Sequence, residues 1–168
     1  MSAVIFTIGY EGIDVGTFLS LLRENDIETV VDVRELPLSR KPGFSKKGLS
    51  AALDRVGLEY IHLSELGCPK AIRDRYRADG NWLRYKNGFS KYLETQHAAI
   101  AKLASQAASS NCALLCFEAN FRRCHRSMVA DAVTRVTGMS VSHICVDEIR
   151  TGEAADLASA FAVAGRSG

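Results

Sequence analysis

Apolar residues along the chain follow two different rhythms. Short runs rich in branched and aromatic side chains occur at Ala3–Ile8 (AVIFTI), Glu28–Val33 (ETVVDV), Leu58–Leu63, Ala113–Phe117 and Val141–Val146, and they predict five buried strands. Between them the spacing becomes helical. Asp14 is a capping residue for a helix over Val15–Asn25 that turns Phe18, Leu19, Leu21 and Leu22 inward. A short helix over Ser50–Val56 stops at Gly57. A long one over Leu83–Ala108 carries Tyr85, Phe89, Leu93, Ile100 and Leu103 on one face, and another runs from about Cys124 to Thr137, before Gly138. Leu36–Gly48, with Pro37 and Pro42, reads as a loop and Gly67–Gly80 as an irregular basic segment. The alanine-rich tail after Gly152 reads as a short helix or a frayed end, and no internal repeat is present.

Strands alternating with helices predict an α/β fold: one three-layer α/β/α, Rossmann-like domain over residues 1–168. Its sheet is expected to be mostly parallel, with about five strands in the order 3-2-1-4-5. In open sheets of this kind ligands bind beyond the carboxyl ends of the strands, so chemically unusual residues are expected just after them. Gly9-Tyr10-Glu11-Gly12 follows the first strand, Asp32-Val33-Arg34 ends the second, Glu65 to Cys68 follows the third, and Glu118 to Arg126 follows the fourth.

Composition narrows the class. The 168 residues are 47% hydrophobic and 24% charged, a globular mix that excludes wholesale disorder. No apolar stretch approaches the roughly 20 residues of a membrane span. The first residues lack the basic segment and cleavage site of an export signal. Five cysteines, an odd number, do not suit a secreted disulfide framework. A cytoplasmic protein with reduced thiols and no membrane partner is therefore expected, with Cys116 and Cys124 not joined as a structural disulfide.

The net charge of +2 conceals an uneven distribution. Arg34–Lys47, Lys70–Lys91 and Arg122–Arg126 hold 15 of the 21 basic residues and only Glu35, Asp74 and Asp79 as acids, a local excess of +12. If these segments meet, they form an anion-binding surface; taken singly, each can equally be a solvated loop or helix face.

The densest chemistry lies in Cys116-Phe117-Glu118-Ala119-Asn120-Phe121-Arg122-Arg123-Cys124-His125-Arg126, which leads from a strand into a helix start. Amides and dipole there favour anions, and Arg122 and Arg126 add fixed donors. Cys124 near that terminus is a candidate nucleophile. Cys116 reads as a buried strand residue, and a carboxylate such as Glu118 at the end of an apolar strand is costly unless paired or used. Cys116 to Arg122 also fits Cys-x5-Arg, but Phe117, Glu118 and Phe121 stand where a phosphate loop needs small residues. A metal reading uses Cys116, Cys124 and His125, with His62. The cysteine spacing of eight, rather than two to four, and the lack of a second cysteine pair argue against it, so no metal or other cofactor is assigned.

Asp32 and Arg34 share one side of their strand, and the following loop offers Ser39 and Arg40. Tyr76 and Trp82 are candidates for stacking or for a mobile lid. His62 reads either as an interior hydrogen-bonded residue or as an acid–base group, and His97 and His143 as structural.

Thr7-Ile8-Gly9-Tyr10-Glu11-Gly12, Val31-Asp32-Val33-Arg34 with Pro37 and Ser39-Arg40, His62 with Leu66-Gly67, and Cys116-Phe117-Glu118 with Cys124-His125-Arg126 together resemble the domain of unknown function 488 family, roughly from Ile5 to Val146. The resemblance implies a compact, cytoplasmic, bacterial-type α/β domain and points to these motif residues, but supplies no reaction.

The residues themselves point first to an enzyme acting on a phosphate-bearing substrate, a nucleotide or nucleic acid. Glu118, Glu11, Asp32 and Cys124 are the candidates for its chemistry. Gly9, Tyr10, Arg34, Ser39, Arg40, Arg122, His125 and Arg126 are the candidates for anion binding. A non-catalytic nucleic-acid-binding module is the second reading, and a thiol-based enzyme or redox sensor using Cys116 and Cys124 the third.

Overall fold

Five strands, β1 (Val4–Gly9), β2 (Thr29–Asp32), β3 (Glu59–His62), β4 (Cys112–Cys116) and β5 (Ser140–Ile144), form one sheet in the computed structural model, which describes residues 3–146. The tail expected after Gly152 lies outside the described residues. Among the described residues six α-helices accompany the strands: α1 (Val15–Glu24), α2 (Lys46–Arg55), α3 (Lys70–Asp79), α4 (Trp82–Glu94), α5 (His97–Ser109) and α6 (His125–Thr137).

All pairings in the sheet are parallel, as the alternation of elements predicts, but the order is β3-β2-β4-β1-β5 rather than 3-2-1-4-5. β4, whose five residues are all buried, lies between β2 and β1, while the more exposed β3 and β5 take the edges. The expected neighbours β1 and β4 do pair, with Gly9 opposite Cys116. The loops that follow them therefore emerge side by side.

The period of two along each strand divides the core into two layers. Val31, Val33 and Leu114 pack with Phe89, Leu93, Leu103, Met128 and Val129 of α4, α5 and α6. Val30, Ala113 and Leu115 face the other way, against Phe18, Leu22, Leu49 and Leu53 of α1 and α2. Each fully buried Val, Leu or Phe of these layers contributes about 1.5 to 3 kcal/mol. Asp14 caps α1 as expected, accepting from the Thr17 amide at 2.8 Å.

Three segments differ from the sequence reading. The short helix expected over Ser50–Val56 is α2, which begins at Lys46, inside the stretch read as a loop. Gly67–Gly80 is not irregular: it contains α3. None of that helix's residues is fully buried, and its apolar side is short, Ile72 and Tyr76 half-buried against the core. Lys70–Asp74 and Arg77–Asp74 pairs line its surface. The long helix expected over Leu83–Ala108 is two helices, broken at Thr95 and Gln96, where the Thr95 hydroxyl donates to the Tyr92 carbonyl at 2.6 Å. The apolar period runs across the break because both helices cover the same layer.

Candidate functional site

The loops after β1, β2 and β4 are locked together by two arginines turned inward. Arg34 makes a bidentate pair with Asp32, Nε to Oδ1 at 2.8 Å and a terminal nitrogen to Oδ2 at 2.6 Å. Its other terminal nitrogen donates to the Phe44 carbonyl at 2.7 Å and the Tyr10 hydroxyl at 3.2 Å. Tyr60 donates to the same carboxylate at 2.6 Å. Burial disfavours the Arg34 charge, but the bonds and charge of Asp32 outweigh it and raise the pKa. The Tyr60 hydroxyl is pushed upward by burial and by its bond to Asp32.

Arg126, fully buried at the start of α6, holds the next loop. It donates to the Glu118 carbonyl, to the Ala119 carbonyl at 3.2 Å and to the Thr7 hydroxyl at 3.3 Å. Thr7 in turn shares a 2.6 Å hydrogen bond with His143, whose ring stacks on Phe121. Gly9 lies under this loop, and Glu11 accepts the Ala119 amide at 2.8 Å.

These clamps present a compact set of reactive groups. The thiols of Cys116 and Cys124 both donate to one carboxylate oxygen of Glu118, at 3.0 and 3.2 Å. On their other side His125 Nδ1 lies 3.6 Å from Cys116 Sγ and 3.9 Å from Cys124 Sγ. His125 Nε2 is 2.7 Å from the Val33 carbonyl, which accepts only, so that nitrogen carries a hydrogen. Phe89 packs edge-on against the imidazole. The donor atoms of Cys116, Cys124 and His125 lie within 4.8 Å of one another, a grouping compatible with a metal ion.

Electrostatics separates the two thiols. Cys116 is held well above the usual thiol range by its hydrogen bond to Cys124 and by burial. Burial also opposes ionisation of Cys124, but the bonds from Cys116 and His125 and the charges of His125 and Arg126 bring it well below that range. Burial works against the His125 cation, yet its bond to Cys124 raises its pKa, and burial raises the Glu118 carboxyl.

Cys116, Glu118 and His125 line a cavity of about 460 Å³ at the carboxyl ends of the strands. Its walls include Tyr10, Arg34 and Ser39, together with Arg73 and Arg77 of α3 and Arg123. Leu36, Leu38 and Phe117 are its exposed apolar residues. Arg73 bonds Glu35 at 2.6 Å, but its Nε is buried without a hydrogen-bond partner. The Arg123 guanidinium has no side-chain partner among the described residues and is exposed.

Sequence reasoning singled out Glu118, Tyr10, Arg34, Ser39 and His125, which this cavity brings together. Gly9, Glu11 and Arg122 line a separate cavity of about 560 Å³, on the other side of the Ala119–Phe121 loop. Asp32, Cys124 and Arg126 are buried beneath the loops and line neither. Arg40 is exposed on the loop after β2. His62 bonds the Arg34 carbonyl at 2.8 Å, away from the thiols. Tyr76 lines the cavity, whereas Trp82 stacks on Tyr85. Cys68 belongs to the segment after the third strand that the sequence flagged, whereas Arg73 and Arg77 were not among the candidate site residues. The signal for the two arginines was the basic charge of Lys70–Lys91, which does not say which face of the helix meets the site.

The architecture defines a parallel three-layer α/β protein with a thiol–imidazole–carboxylate group set under an arginine-lined cavity. The chain belongs to the family described as Domain of unknown function DUF488, whose family profile matches residues 14–133. The match includes β2, β3, β4 and most of α6, and leaves β1 and β5 outside. No curated protein and no solved structure matches the chain. Among the described residues no helix is long and apolar enough to cross a membrane.

Proposed function

We propose that the protein is an enzyme acting on a phosphate-bearing substrate, a nucleotide or a short single strand, in the cavity of about 460 Å³. One juxtaposition carries the reading: Arg73, Arg77 and Arg123 stand on the walls of the same cavity whose floor holds Cys116, Glu118 and His125. Guanidinium groups recognise phosphate oxygens through paired donors. Phe117 and the two leucines supply apolar surface for a base or sugar, and the volume suits a ligand of mononucleotide size.

In this reading the anion contacts belong to Arg73, Arg77 and Arg123. Arg34 and Arg126 are scaffold, because their donors are committed to Asp32 and to loop carbonyls. Glu118 is the proton-transfer residue, facing the substrate space beside His125. Direct nucleophilic use of Cys124 is disfavoured by position, since its thiol is 1% exposed and lines neither cavity.

The test is a panel of mononucleotides, dinucleotides and short single-stranded DNA and RNA, followed by melting temperature and by chromatography of products. Turnover by the wild type, lost in Glu118→Gln with ligand binding retained, supports the reading. Binding without turnover in both proteins points to a non-catalytic binding module instead. No melting shift with any of these ligands at low salt rejects the phosphate reading.

A further inference from the structure

We infer that Cys116, Cys124 and His125 form a binding site for a divalent, borderline-soft cation, of which Zn²⁺ is the best match. The inference goes beyond the phosphate reading and does not depend on it.

The geometry is close to what such an ion requires. Metal–sulfur bonds of about 2.3 Å and metal–nitrogen bonds of about 2.0 Å in a tetrahedral site place sulfur and nitrogen donors about 3.5 Å apart and two sulfurs about 3.8 Å apart. His125 Nδ1 is 3.6 Å from Cys116 Sγ and 3.9 Å from Cys124 Sγ, and all three donor atoms fall within 4.8 Å of one another. The two nitrogen–sulfur distances are within about 0.4 Å of that geometry, and the two sulfurs, no more than 4.8 Å apart, need close by at most about 1 Å.

Local structure fixes the donors independently. Cys116 ends β4, Cys124 precedes α6 and His125 begins it, so an eight-residue spacing along the chain closes into a single cluster in space. Metal-bound imidazoles typically give their second ring hydrogen to a carbonyl or carboxylate, which sets the tautomer and aims the other nitrogen at the metal. The bond from His125 Nε2 to the Val33 carbonyl is that arrangement, and the edge of Phe89 holds the ring plane.

Charge supports the choice of ion. A dication with two thiolates and a neutral imidazole is net neutral, which offsets the cost of burying those charges. Metal entry displaces whatever protons these donors hold, replacing their present hydrogen bonds to Glu118 and to one another. Two soft sulfurs and one imidazole select Zn²⁺ over Mg²⁺ or Ca²⁺, which prefer oxygen donors. Three protein donors leave a fourth position, the pattern of sites that also hold a water or substrate atom, and the cavity reaches this cluster through Cys116, Glu118 and His125.

The experiment uses the full chain, reduced and freed of metal, titrated with Zn²⁺ against a chromophoric chelator and separately with Co²⁺. One Zn²⁺ per chain is expected. The Co²⁺ form should show the intense visible bands of a tetrahedral site and near-ultraviolet thiolate charge transfer. Cys116→Ser and Cys124→Ser should each weaken Zn²⁺ binding at least about 100-fold, at or beyond the upper end of what loss of a supporting hydrogen bond does. Cys68→Ser and Cys112→Ser should leave it unchanged. The wild-type spectrum decides the matter even if a cysteine variant fails to fold. A reduced wild-type chain that leaves Co²⁺ in its pale octahedral form and takes up no stoichiometric Zn²⁺ overturns the proposal. So does uptake that survives both serine variants at positions 116 and 124 but disappears in Cys68→Ser. No phosphate ligand enters these measurements, so their failure and failure of the substrate reading are separately visible.

Discussion

A Cβ placed on Gly9 would lie 1.9 Å from the carbonyl oxygen of Glu118. The last residue of β1 therefore has to lack a side chain for the Glu118 loop to sit over it, where Arg126 clasps the same carbonyl. The position of the Glu118 carboxylate thus depends on a backbone-to-backbone contact between two strand ends.

Gly9→Ala should for this reason destabilise the fold by about 3 kcal/mol, in the range of overpacked core substitutions. That corresponds to a fall of roughly 6 to 12 °C in melting temperature. Gly12→Ala is the informative control. A Cβ there meets nothing within 4 Å, and its only penalty is the positive φ of 80°, about 1 kcal/mol. Equal losses in thermal melts of the two variants would show that the contact with Glu118 carries no weight.

The Asp32–Arg34 pair should behave as a buried ion pair whose partners cannot be removed singly. Asp32→Asn leaves the Arg34 guanidinium, 6% exposed, without its counter-charge and should cost about 3 to 5 kcal/mol. Tyr60→Phe removes one donor to the same carboxylate and should cost about 1 kcal/mol. Urea unfolding monitored by circular dichroism gives both values, and a loss below 1 kcal/mol for Asp32→Asn would contradict the clamp.

Arginine variants on the cavity should separate binding from folding. Arg123→Ala should weaken polyanion binding and lower the slope of log affinity against log salt by about one, with little change in melting temperature. Lys47→Ala, on the exposed face of α2, should change neither. Arg126→Ala should instead unfold or loosen the protein, because its bonds hold the Glu118–Ala119 loop rather than a ligand. A folded Arg126→Ala protein with selectively lost anion binding would reverse these assignments.

Stability should decline at alkaline pH. Burial pushes the Cys68 thiol up to about 11, from 9.0, and burial likewise raises Cys112, Tyr60 and Tyr85. The unfolded chain releases these protons first, so the native state loses ground as pH rises through about 9. Cys68 alone sets a slope of at most about 1.4 kcal/mol per pH unit, between its unfolded and folded values. Melting curves between pH 7 and 10.5 should show the decline, and Cys68→Ala should flatten it. A melting temperature independent of pH across that interval would refute the assignment.

The sequence by itself determined the five strands, most of the helices and where their chemistry would gather, but not α3 or the break between α4 and α5. Strand and helix positions follow from local periods of two and about 3.6, which each segment carries on its own. The rule that parallel sheets offer their ligands the carboxyl ends of strands then singles out Tyr10, Arg34 and Glu118, which do line one cavity. Tertiary structure alone decided the rest. β4 rather than β1 occupies the centre of the sheet, because order depends on which strand is buried on both faces after all the helices have packed. Arg34, Arg126 and Asp32 look like ligand contacts in one dimension. Folding surrounds them with carbonyls, a hydroxyl and one another, and a buried charge takes the partners nearest to it. Arg73 and Arg77 reach the cavity from α3, and only the packed fold decides which side of that helix faces it. The thiols of Cys116 and Cys124, eight residues apart in the chain, meet His125 only because the end of β4 and the start of α6 are brought together, with the Val33 carbonyl of the neighbouring β2 end orienting the ring.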